Sequence, residues 1–276
     1  MKKIVMMVLA GIMALSMVGC GGNENQQAAK EEGTMNGTVT LGGSTSVEKV
    51  VGAFMEAYME ENSNVTVTYD PTGSGAGING AAEGSLDIGL SSRNLKESET
   101  DLTATVFALD GIAIIVNEEN TVNDLSLQQI QQLATGEVTN WSEVGGPDMP
   151  VVLIGREAGS GTRDGFESIV DVEDVCLYDQ ELTSTGAVIA AVASNPNAFG
   201  YASVASVDEN VKAITVDGVA ATEENIQSGA YAIQRPFLFV TKENEELSPA
   251  VQSFLEFALS EEAKTLIVNA GCVPVK

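Results

Sequence analysis

The stretch from Ile154 to Gly165, IGREAGSGTRDG, decides how the rest of this 276-residue sequence is interpreted. An apolar run from Val151 to Ile154 ends at a glycine, and one arginine, two hydroxyl side chains and further glycines follow before a predicted helix. A strand that ends in such a turn directs backbone N–H groups, hydroxyls and the positive end of a helix dipole at one point. Arg156 adds a planar, permanently charged donor. The stretch predicts either an oxyanion site or a plain glycine-rich turn with a surface arginine.

Three further turns carry the same chemistry, each at the end of a predicted strand. They are GGSTS (42–46) after Thr38–Leu41, TGSGAG (72–77) after Asn64–Tyr69, and SSR (91–93) after Leu86–Leu90. Strands that alternate with helices and end in polar turns predict an α/β fold with its functional turns at the carboxyl edge of a sheet. The first turn opens a helix predicted from Ser46 to Glu60, with Thr45 as N-cap and Glu48 completing a capping box.

Two enzyme-like motifs stay open as alternatives. Gly75, Gly77 and Gly80 match the dinucleotide-binding pattern GxGxxG, but the following strand ends in SSR where a ribose-binding acid is expected. Ser46 and Lys49 match the SxxK pattern of a serine acyl enzyme, without the SDN and KTG motifs that accompany it.

Composition narrows the function further. The chain has 13 basic and 39 acidic residues, a net charge of −26, and no histidine. A negative field repels nucleic acid and anionic membrane surfaces, so an anion site here must act through donors in direct contact with the ligand. The missing histidine excludes histidine metal sites and Ser-His or Cys-His nucleophile pairs. We therefore expect no metal, no cofactor and no nucleic-acid partner.

The amino terminus has the pattern of an export signal. Lys2 and Lys3 precede an apolar run, Ile4 to Val18, that is too short for a stable membrane span. The run ends in MVGC, which resembles the lipobox of bacterial lipoproteins and implies lipidation of Cys20, with an ordinary cleaved signal as the alternative. Residues 21–37 are polar and predict a flexible tether. We therefore expect a lipid-anchored protein on the extracytoplasmic face of the cell membrane.

The remaining pattern predicts further helices and strands. The helices are Ser126–Ala134, Arg163–Val170, Thr185–Ala193, Ser248–Leu259 and Glu261–Ala270; the strands are Val106–Val116, interrupted at Asp110-Gly111, then Phe199–Ser203, Ala213–Val216 and Pro236–Thr241. The loop from Thr135 to Pro150 carries the only tryptophan, Trp141, which we expect to anchor it. Cys176 and Cys272 could pair in an exported protein, but sequence does not show whether they are close.

The four turns together predict a site for a small anion with several oxygens. A buried doubly charged anion loses hydration worth tens of kcal/mol, and each charge-assisted hydrogen bond returns only ~1.5–3 kcal/mol, so on the order of ten donors are needed. Besides the turn N–H groups and the fork of Arg156, the candidate donors are the hydroxyls of Ser44, Thr45, Ser46, Ser74, Ser92, Ser160 and Thr162.

At this point the chain resembles a known family, the phosphate-binding lipoproteins of bacterial Pst-type phosphate ABC transporters. The resemblance extends from about Thr38 to Lys276. It rests on the segments GGSTSVEKVVGAF, GSGAGI, DIGLSSR, TGEVTNWSEVGG, REAGSGTRDGF, NPNAFGYAS and AGCVPVK.

The resemblance implies a two-domain periplasmic-binding-protein fold of the type II-like class, with a ligand cleft between domains joined by two hinge strands. One domain would comprise residues 38–115 and 241–276, and the other residues 116–240. The ligand would be inorganic phosphate, delivered by a monomeric, non-enzymatic receptor to membrane permease subunits. The implied phosphate contacts are Thr45, Ser46, Ser74, Arg156, Ser160, Gly161 and Thr162, with Ser44 marginal.

Ser92 departs from one form of the family pattern. Some members carry an aspartate there, which accepts the proton of bound phosphate and so excludes sulfate. Ser92 stays in the predicted site as a weaker discriminator, and Glu157, Asp164 and Asp70 are candidate acceptors in its place. The alternatives are therefore the same fold with sulfate, tungstate or molybdate as ligand, the acyl enzyme, and an adhesion lipoprotein with a vestigial cleft.

Overall fold

The computed structural model describes residues 35–275, so the predicted signal peptide, Cys20 and most of the tether lie outside the described residues. The strands are β1 (Gly37–Gly43), β2 (Val65–Asp70), β3 (Ile88–Ser91), β4 (Leu102–Asn117), β5 (Asp124–Leu125), β6 (Val152–Arg156), β7 (Gln180–Leu182), β8 (Ala198–Ser203), β9 (Val211–Ala213), β10 (Thr215–Val216), β11 (Gln234–Lys242) and β12 (Val273–Pro274). The helices are α1 (Glu48–Glu61), α2 (Ser74–Glu83), α3 (Leu127–Ala134), α4 (Gly161–Val170), α5 (Thr185–Ala193), α6 (Glu223–Gln227), α7 (Pro249–Ala258) and α8 (Glu261–Asn269).

A continuous strand order, β2-β1-β3-β11-β4-β8-β6-β7, runs through the molecule. At one end β1 pairs in parallel with β2 and β3, and at the other β6 pairs in parallel with β7 and β8. We call these ends, with the helices packed on them, the first lobe and the second lobe. Antiparallel strands β4 and β11 connect them. The α/β class and the two-lobed architecture predicted from the sequence are confirmed.

Each lobe has its own hydrophobic core. In the first lobe α1, α7 and α8 pack on one face of the sheet, around stacked rings of Phe107 and Phe239 whose centroids are 4.3 Å apart. In the second lobe Phe166 stacks on Tyr201 at 4.2 Å, and Trp141 is fully buried against Phe199. The indole of Trp141 donates to the carbonyl of Asn197 at 2.8 Å, so the ring anchors its loop as predicted.

Strand β4 is longer and more regular than the sequence pattern predicted. The sequence suggested an interruption at Asp110-Gly111, but β4 is continuous from Leu102 to Asn117. It pairs with β11 as far as Gly111 and with β8 from Ile112 onward. Asp110 is tolerated within a buried strand because Arg235, its cross-strand partner, neutralises it at 3.0 Å.

The predicted capping box at Thr45 is wrong. Residues Thr45–Val47 form a 3-10 turn whose N-cap is Ser44, and Ser44 Oγ accepts from the N–H of Ser46 at 3.3 Å. The α-helix starts only at Glu48 and has no side-chain cap. The hydroxyl of Thr45 is engaged instead by Arg156 of the second lobe at 3.0 Å.

The two cysteines do not pair in this structure. Cys272 is buried in the first-lobe core, whereas Cys176 packs against the second-lobe core, and both are free thiols. Burial raises the pKa of the Cys176 thiol to about 11 and that of Cys272 further. Within residues 35–275, no helix combines the length and the apolar character needed to cross a membrane.

Candidate functional site

Polar turns from both lobes converge between β1, β3 and α2 on one side and β6, α4 and α5 on the other. The carboxyl ends of parallel strands meet at one edge of a sheet, which places these turns together. Their polar side chains are all at most 4% exposed. They are Ser44, Thr45, Ser46, Ser74 and Ser92 from the first lobe, and Arg156, Ser160, Thr162 and Thr185 from the second.

Hydrogen bonds cross directly from lobe to lobe at this site. Ser46 Oγ and Thr162 Oγ1 are 2.8 Å apart, and Arg156 Nη1 donates to Thr45 Oγ1 at 3.0 Å. The backbone N–H of Gly75 donates to the carbonyl of Gly159 at 2.9 Å. The structure is therefore a closed conformation in which donors from both lobes face one point.

Arg156 is the charged centre of the site. Its Nε and Nη2 donate to the carbonyls of Leu182 and Thr183 at 3.1 and 3.0 Å, which fixes the plane of the guanidinium. Among the described residues it has no carboxylate within ion-pair distance, although it is 2% exposed. Burial lowers the pKa of Arg156. A buried charge is normally paired, so this arginine has the surroundings of a residue that receives an anion.

Gly161 allows the two lobes to approach. A Cβ atom at this position would lie 2.4 Å from Ser74 Oγ and 2.7 Å from Ser92 Oγ, closer than any side chain tolerates. Gly161 is the first residue of α4, and Ser160 caps that helix by accepting from the N–H of Arg163 at 3.4 Å. The glycine thus brings the positive end of a ten-residue helix against the first-lobe hydroxyls.

Ser92 and Ser74 form the floor of the site on the first lobe. Their hydroxyl oxygens are 3.2 Å apart, and the N–H of Ser92 donates to Ser74 Oγ at 3.1 Å. Ser44 Oγ donates to Ser92 Oγ at 2.9 Å, so the marginal residue Ser44 belongs to the same cluster. All nine predicted site residues, Ser44 included, are therefore brought into one region.

Thr185 is a site residue that the sequence analysis missed. Its hydroxyl lies 2.9 Å from Thr45 Oγ1 and 3.2 Å from Ser46 Oγ, and it accepts from Arg156 Nη1 at 3.3 Å. The segment was interpreted only as a buried helix of small residues. The signal was present, because Thr183-Ser184-Thr185-Gly186 is a fifth run of hydroxyls and glycine at a helix start.

The glycines of the GxGxxG match have a packing role. A Cβ at Gly77 would lie 2.5 Å from the carbonyl of Gly42, and one at Gly80 would lie 2.6 Å from the Leu86 side chain. The pattern is thus explained by the close approach of α2 to β1 and to the β3 side of the sheet, which removes the observation that motivated the dinucleotide alternative.

The residues of the proposed acyl enzyme do not contact each other. Lys49 is exposed and its Nζ donates to the carbonyl of Ala205 at 3.4 Å, whereas Ser46 Oγ contacts Thr162 and Thr185. A serine nucleophile needs a base within hydrogen-bond reach, and Lys49 is not in that position.

The three candidate proton acceptors lie away from the site hydroxyls. Asp164 is held by Arg93 at 2.8 Å and by Lys96 at 3.1 Å, and this ion-pair cluster also links the two lobes. Asp70 is exposed at the end of β2, and Glu157 follows β6 with its side chain half-buried. Among the described residues, no hydrogen bond joins any of these three carboxylates to a site hydroxyl or to Arg156.

Comparison with known proteins shows the family of the chain. Residues 28–262 match the family model described as a PBP superfamily domain. The phosphate-binding protein PstS of Bacillus subtilis is 30% identical over 99% of this chain and 94% of its own length. Among solved structures, one assigned as a phosphate ABC transporter substrate-binding protein from Clostridium perfringens, with bound phosphate, is 42% identical. It covers 87% of this chain and 100% of its own, with a TM-score of 0.84. An ABC-type phosphate transport receptor from Vibrio cholerae is 35% identical, covers 86% and 100%, and has a TM-score of 0.72.

Proposed function

This chain belongs to the PBP superfamily and is a relative of the phosphate-binding protein PstS, and from this premise we propose that it binds inorganic phosphate between its two lobes and delivers it to an ABC permease. By name the relatives are phosphate-binding proteins, a phosphate ABC transporter substrate-binding protein and a phosphate transport receptor, which agrees with a binding rather than a catalytic role. Lys49, the base of the SxxK match, contacts the carbonyl of Ala205 rather than Ser46.

The observation that carries the proposal is the buried guanidinium of Arg156 without a carboxylate partner among residues 35–275. Two of its nitrogens are fixed by backbone carbonyls, and the third is directed at Thr45 and Thr185. A tetrahedral anion that exchanges with these hydroxyl contacts would neutralise Arg156 and receive a charge-assisted hydrogen bond.

The rest of the proposed shell consists of neutral donors. The hydroxyls of Thr45 and Thr185 contact the guanidinium, and Ser46 and Thr162 follow in the same hydrogen-bond chain. Ser74, Ser92 and Ser160, with Ser44, are buried in the same interlobe region at the N-terminal end of α4. Since each such bond contributes only ~1.5–3 kcal/mol to a charged group, the shell must come from both lobes at once. Binding is therefore expected to require closure.

The test is equilibrium binding. Titration calorimetry of the purified protein with inorganic phosphate should show one site with a Kd in the micromolar range or tighter, and sodium chloride at the same ionic strength should give no heat. The scattering radius of gyration should fall when phosphate is added, because the ligand favours the closed state. Absence of phosphate binding in a folded protein would refute the proposal.

Membrane attachment and the hinge belong to the same proposal. A receptor for a permease must stay near the membrane, and lipidation at Cys20 with a tether ahead of β1 would achieve this. The tether is shorter than the predicted 21–37, because Gly37 pairs with Val65 in the sheet and Met35 packs against the first-lobe core. Release of a Cys20→Ser form into the medium, with the native form retained on membranes, would support the anchor. The hinge we propose lies where β4 and β11 pass between residues 38–115 plus 241–276 and residues 116–240, in a monomeric receptor.

A further inference from the structure

A second buried guanidinium lies behind the anion site. Arg235 on β11 and Asp110 on β4 are cross-strand partners in the two strands that connect the lobes. Arg235 Nε and Nη2 donate to Asp110 Oδ2 at 3.2 and 3.0 Å, and Ser203 Oγ donates to Asp110 Oδ1 at 2.9 Å. The two side chains are 3% and 0% exposed. Two nitrogens of Arg235 thus neutralise Asp110, and one remains.

The remaining nitrogen reaches the anion site. Arg235 Nη1 donates to Ser92 Oγ at 3.3 Å. A guanidinium has no acceptor atom, so the direction of this hydrogen bond cannot reverse. Ser44 Oγ also donates to Ser92 Oγ, at 2.9 Å. A serine hydroxyl has two acceptor positions and one proton, so both acceptor positions of Ser92 are taken. Its proton is directed at Ser74 Oγ, 3.2 Å away, a contact that a bound anion would replace.

We propose that Arg235 is a positioning residue that sets anion selectivity, because it holds Ser92 as a hydrogen-bond donor toward the bound anion. The inference rests on the proposed phosphate site and adds a ligand preference to it. Ser92 favours an unprotonated oxygen of the bound tetrahedral anion. The site should therefore bind dibasic phosphate more tightly than monobasic phosphate, and sulfate should compete for it.

The surroundings of Ser92 support this selectivity. The nearest buried carboxylate, Asp110, already accepts from Arg235 and Ser203. Asp164 is held in the Arg93 and Lys96 ion pairs. Glu157 and Asp70 make no hydrogen bond to a site hydroxyl among the described residues. The proton of a bound phosphate ion is therefore expected to meet hydroxyls rather than a dedicated carboxylate. Ser92 accepts that proton only by giving up its contact with Ser44 or Arg235, whereas it donates to an ionised oxygen and keeps both.

The size of the expected discrimination follows from the missing acceptor. A site that hydrogen-bonds a ligand hydroxyl rejects the analogue without it by about 10⁴–10⁵. Without a dedicated acceptor, the ratio of the sulfate Kd to the phosphate Kd should be at most about a hundredfold. The phosphate Kd should fall as pH rises from about 5 to about 8, across the second ionisation of a phosphate group. The sulfate Kd should stay constant.

The first experiment is calorimetric titration of the purified protein with phosphate and with sulfate over that pH range. The expected result is measurable sulfate binding and a phosphate affinity that increases with pH. If phosphate binds but sulfate is rejected by more than about 10⁴, the selectivity inference is overturned and the proposed function stands. If neither anion binds the folded protein, the proposed function itself fails.

The second experiment asks whether Ser92 donates or accepts. Ser92→Ala should weaken phosphate and sulfate by similar factors, because both lose one donor. Loss of phosphate affinity alone would mean that Ser92 accepts the ligand proton, which contradicts the proposal. Ser91→Ala is the matched control, since Ser91 is equally buried and its hydroxyl donates instead to the carbonyl of Arg93 at 2.8 Å. The control should leave both affinities unchanged.

The third experiment tests Arg235 through selectivity rather than stability. Arg235→Lys keeps a positive charge for Asp110 but replaces three nitrogens in a planar fork by a single ammonium. Ser92 then regains an acceptor position, and the sulfate-to-phosphate Kd ratio should rise by about threefold or more. Ser44→Ala removes the other donor to Ser92 without touching the ion pair and should shift the ratio in the same direction. An unchanged ratio in both folded variants would overturn the role of Arg235.

Discussion

Arg156 and Arg235 are two buried guanidinium groups in the same interlobe region, and their surroundings differ in one respect. Arg235 has a buried carboxylate at 3.0 Å, whereas Arg156 is held by carbonyls and hydroxyls and has no carboxylate at ion-pair distance among the described residues. Burial lowers the pKa of both arginines, but at Arg235 the charge and hydrogen bonds of Asp110 oppose that effect. Asp110 thus neutralises Arg235, whereas no carboxylate among the described residues neutralises Arg156.

Arg93 completes the comparison at the rim of the interlobe contact. Burial acts to lower its pKa, but the hydrogen bonds and charges of Glu99 and Asp164 raise it overall. Arg93 thus belongs with Arg235 as a structural cation, although its pairing with Asp164 also crosses between the lobes. Burial alone does not identify a ligand-binding arginine. Among the described residues, the buried arginine without a nearby carboxylate, Arg156, is the better candidate for an anion contact.

The largest effect on stability is expected when the ion pair between Arg235 and Asp110 is broken. Arg235→Met should lower the free energy of unfolding by about 3–5 kcal/mol, because Asp110 would remain buried and charged without a partner. Urea unfolding measures this, with Arg156→Met as the matched control. The control removes a desolvated charge whose partners are neutral carbonyls and hydroxyls, so no unpaired charge is left behind and the loss of stability without ligand should be smaller. Equal destabilisation by both substitutions would break the comparison.

Arg156→Ala should weaken phosphate binding by at least ~2 kcal/mol, about thirtyfold. The bound anion would lose its only direct cationic partner from the described residues, and calorimetry measures the loss. Arg163→Ala is a suitable control, since Arg163 lies in the same segment but pairs with Glu167 at 2.8 Å. Retained affinity in the Arg156 variant would remove this residue from the site.

A smaller effect on phosphate affinity is expected from the ion pair between Arg93 and Asp164. Asp164→Asn removes an ion pair with Arg93 that exists only when the lobes are closed, and partly exposed pairs contribute about 0.2–1 kcal/mol. Phosphate affinity should therefore fall by about two- to fivefold, and the difference from the native protein should shrink at high salt. A difference that is independent of salt would argue against an electrostatic latch between the lobes.

No effect is expected at Lys49. Lys49→Ala removes an exposed cation whose ammonium contacts only a backbone carbonyl at 3.4 Å, so phosphate affinity should be unchanged. This variant shows whether general positive charge near the cleft matters. A marked loss of affinity would mean that Arg156 is not the sole cation that attracts the ligand, and acylation of Ser46 by a β-lactam would reopen the enzyme alternative.

Many residues of the candidate site could be predicted because they lie in short contiguous segments of the sequence. Glycine and hydroxyl residues at strand ends indicate Thr45, Ser74 and Thr162 without knowledge of any contact. The capping box failed because Thr45 could serve either its own helix or a partner across the cleft, and Arg156 supplied that partner. Thr185 was missed because its helix is otherwise composed of small and apolar residues, so the periodicity predicts a helix and no polar site.

By itself, the sequence determined the α/β class, the strand-end turns and Arg156 as the candidate anion-binding cation, since these follow from local periodicity and from residue chemistry at fixed spacing. Only the tertiary structure decided which cation has a counter-charge. Arg235 and Asp110 are 125 residues apart in sequence and meet through the pairing of β4 with β11. Ser92 likewise becomes a donor only because Arg235, 143 residues away, occupies one of its acceptor positions. Hydrogen-bond direction and charge neutralisation depend on neighbours in space, which local patterns do not record.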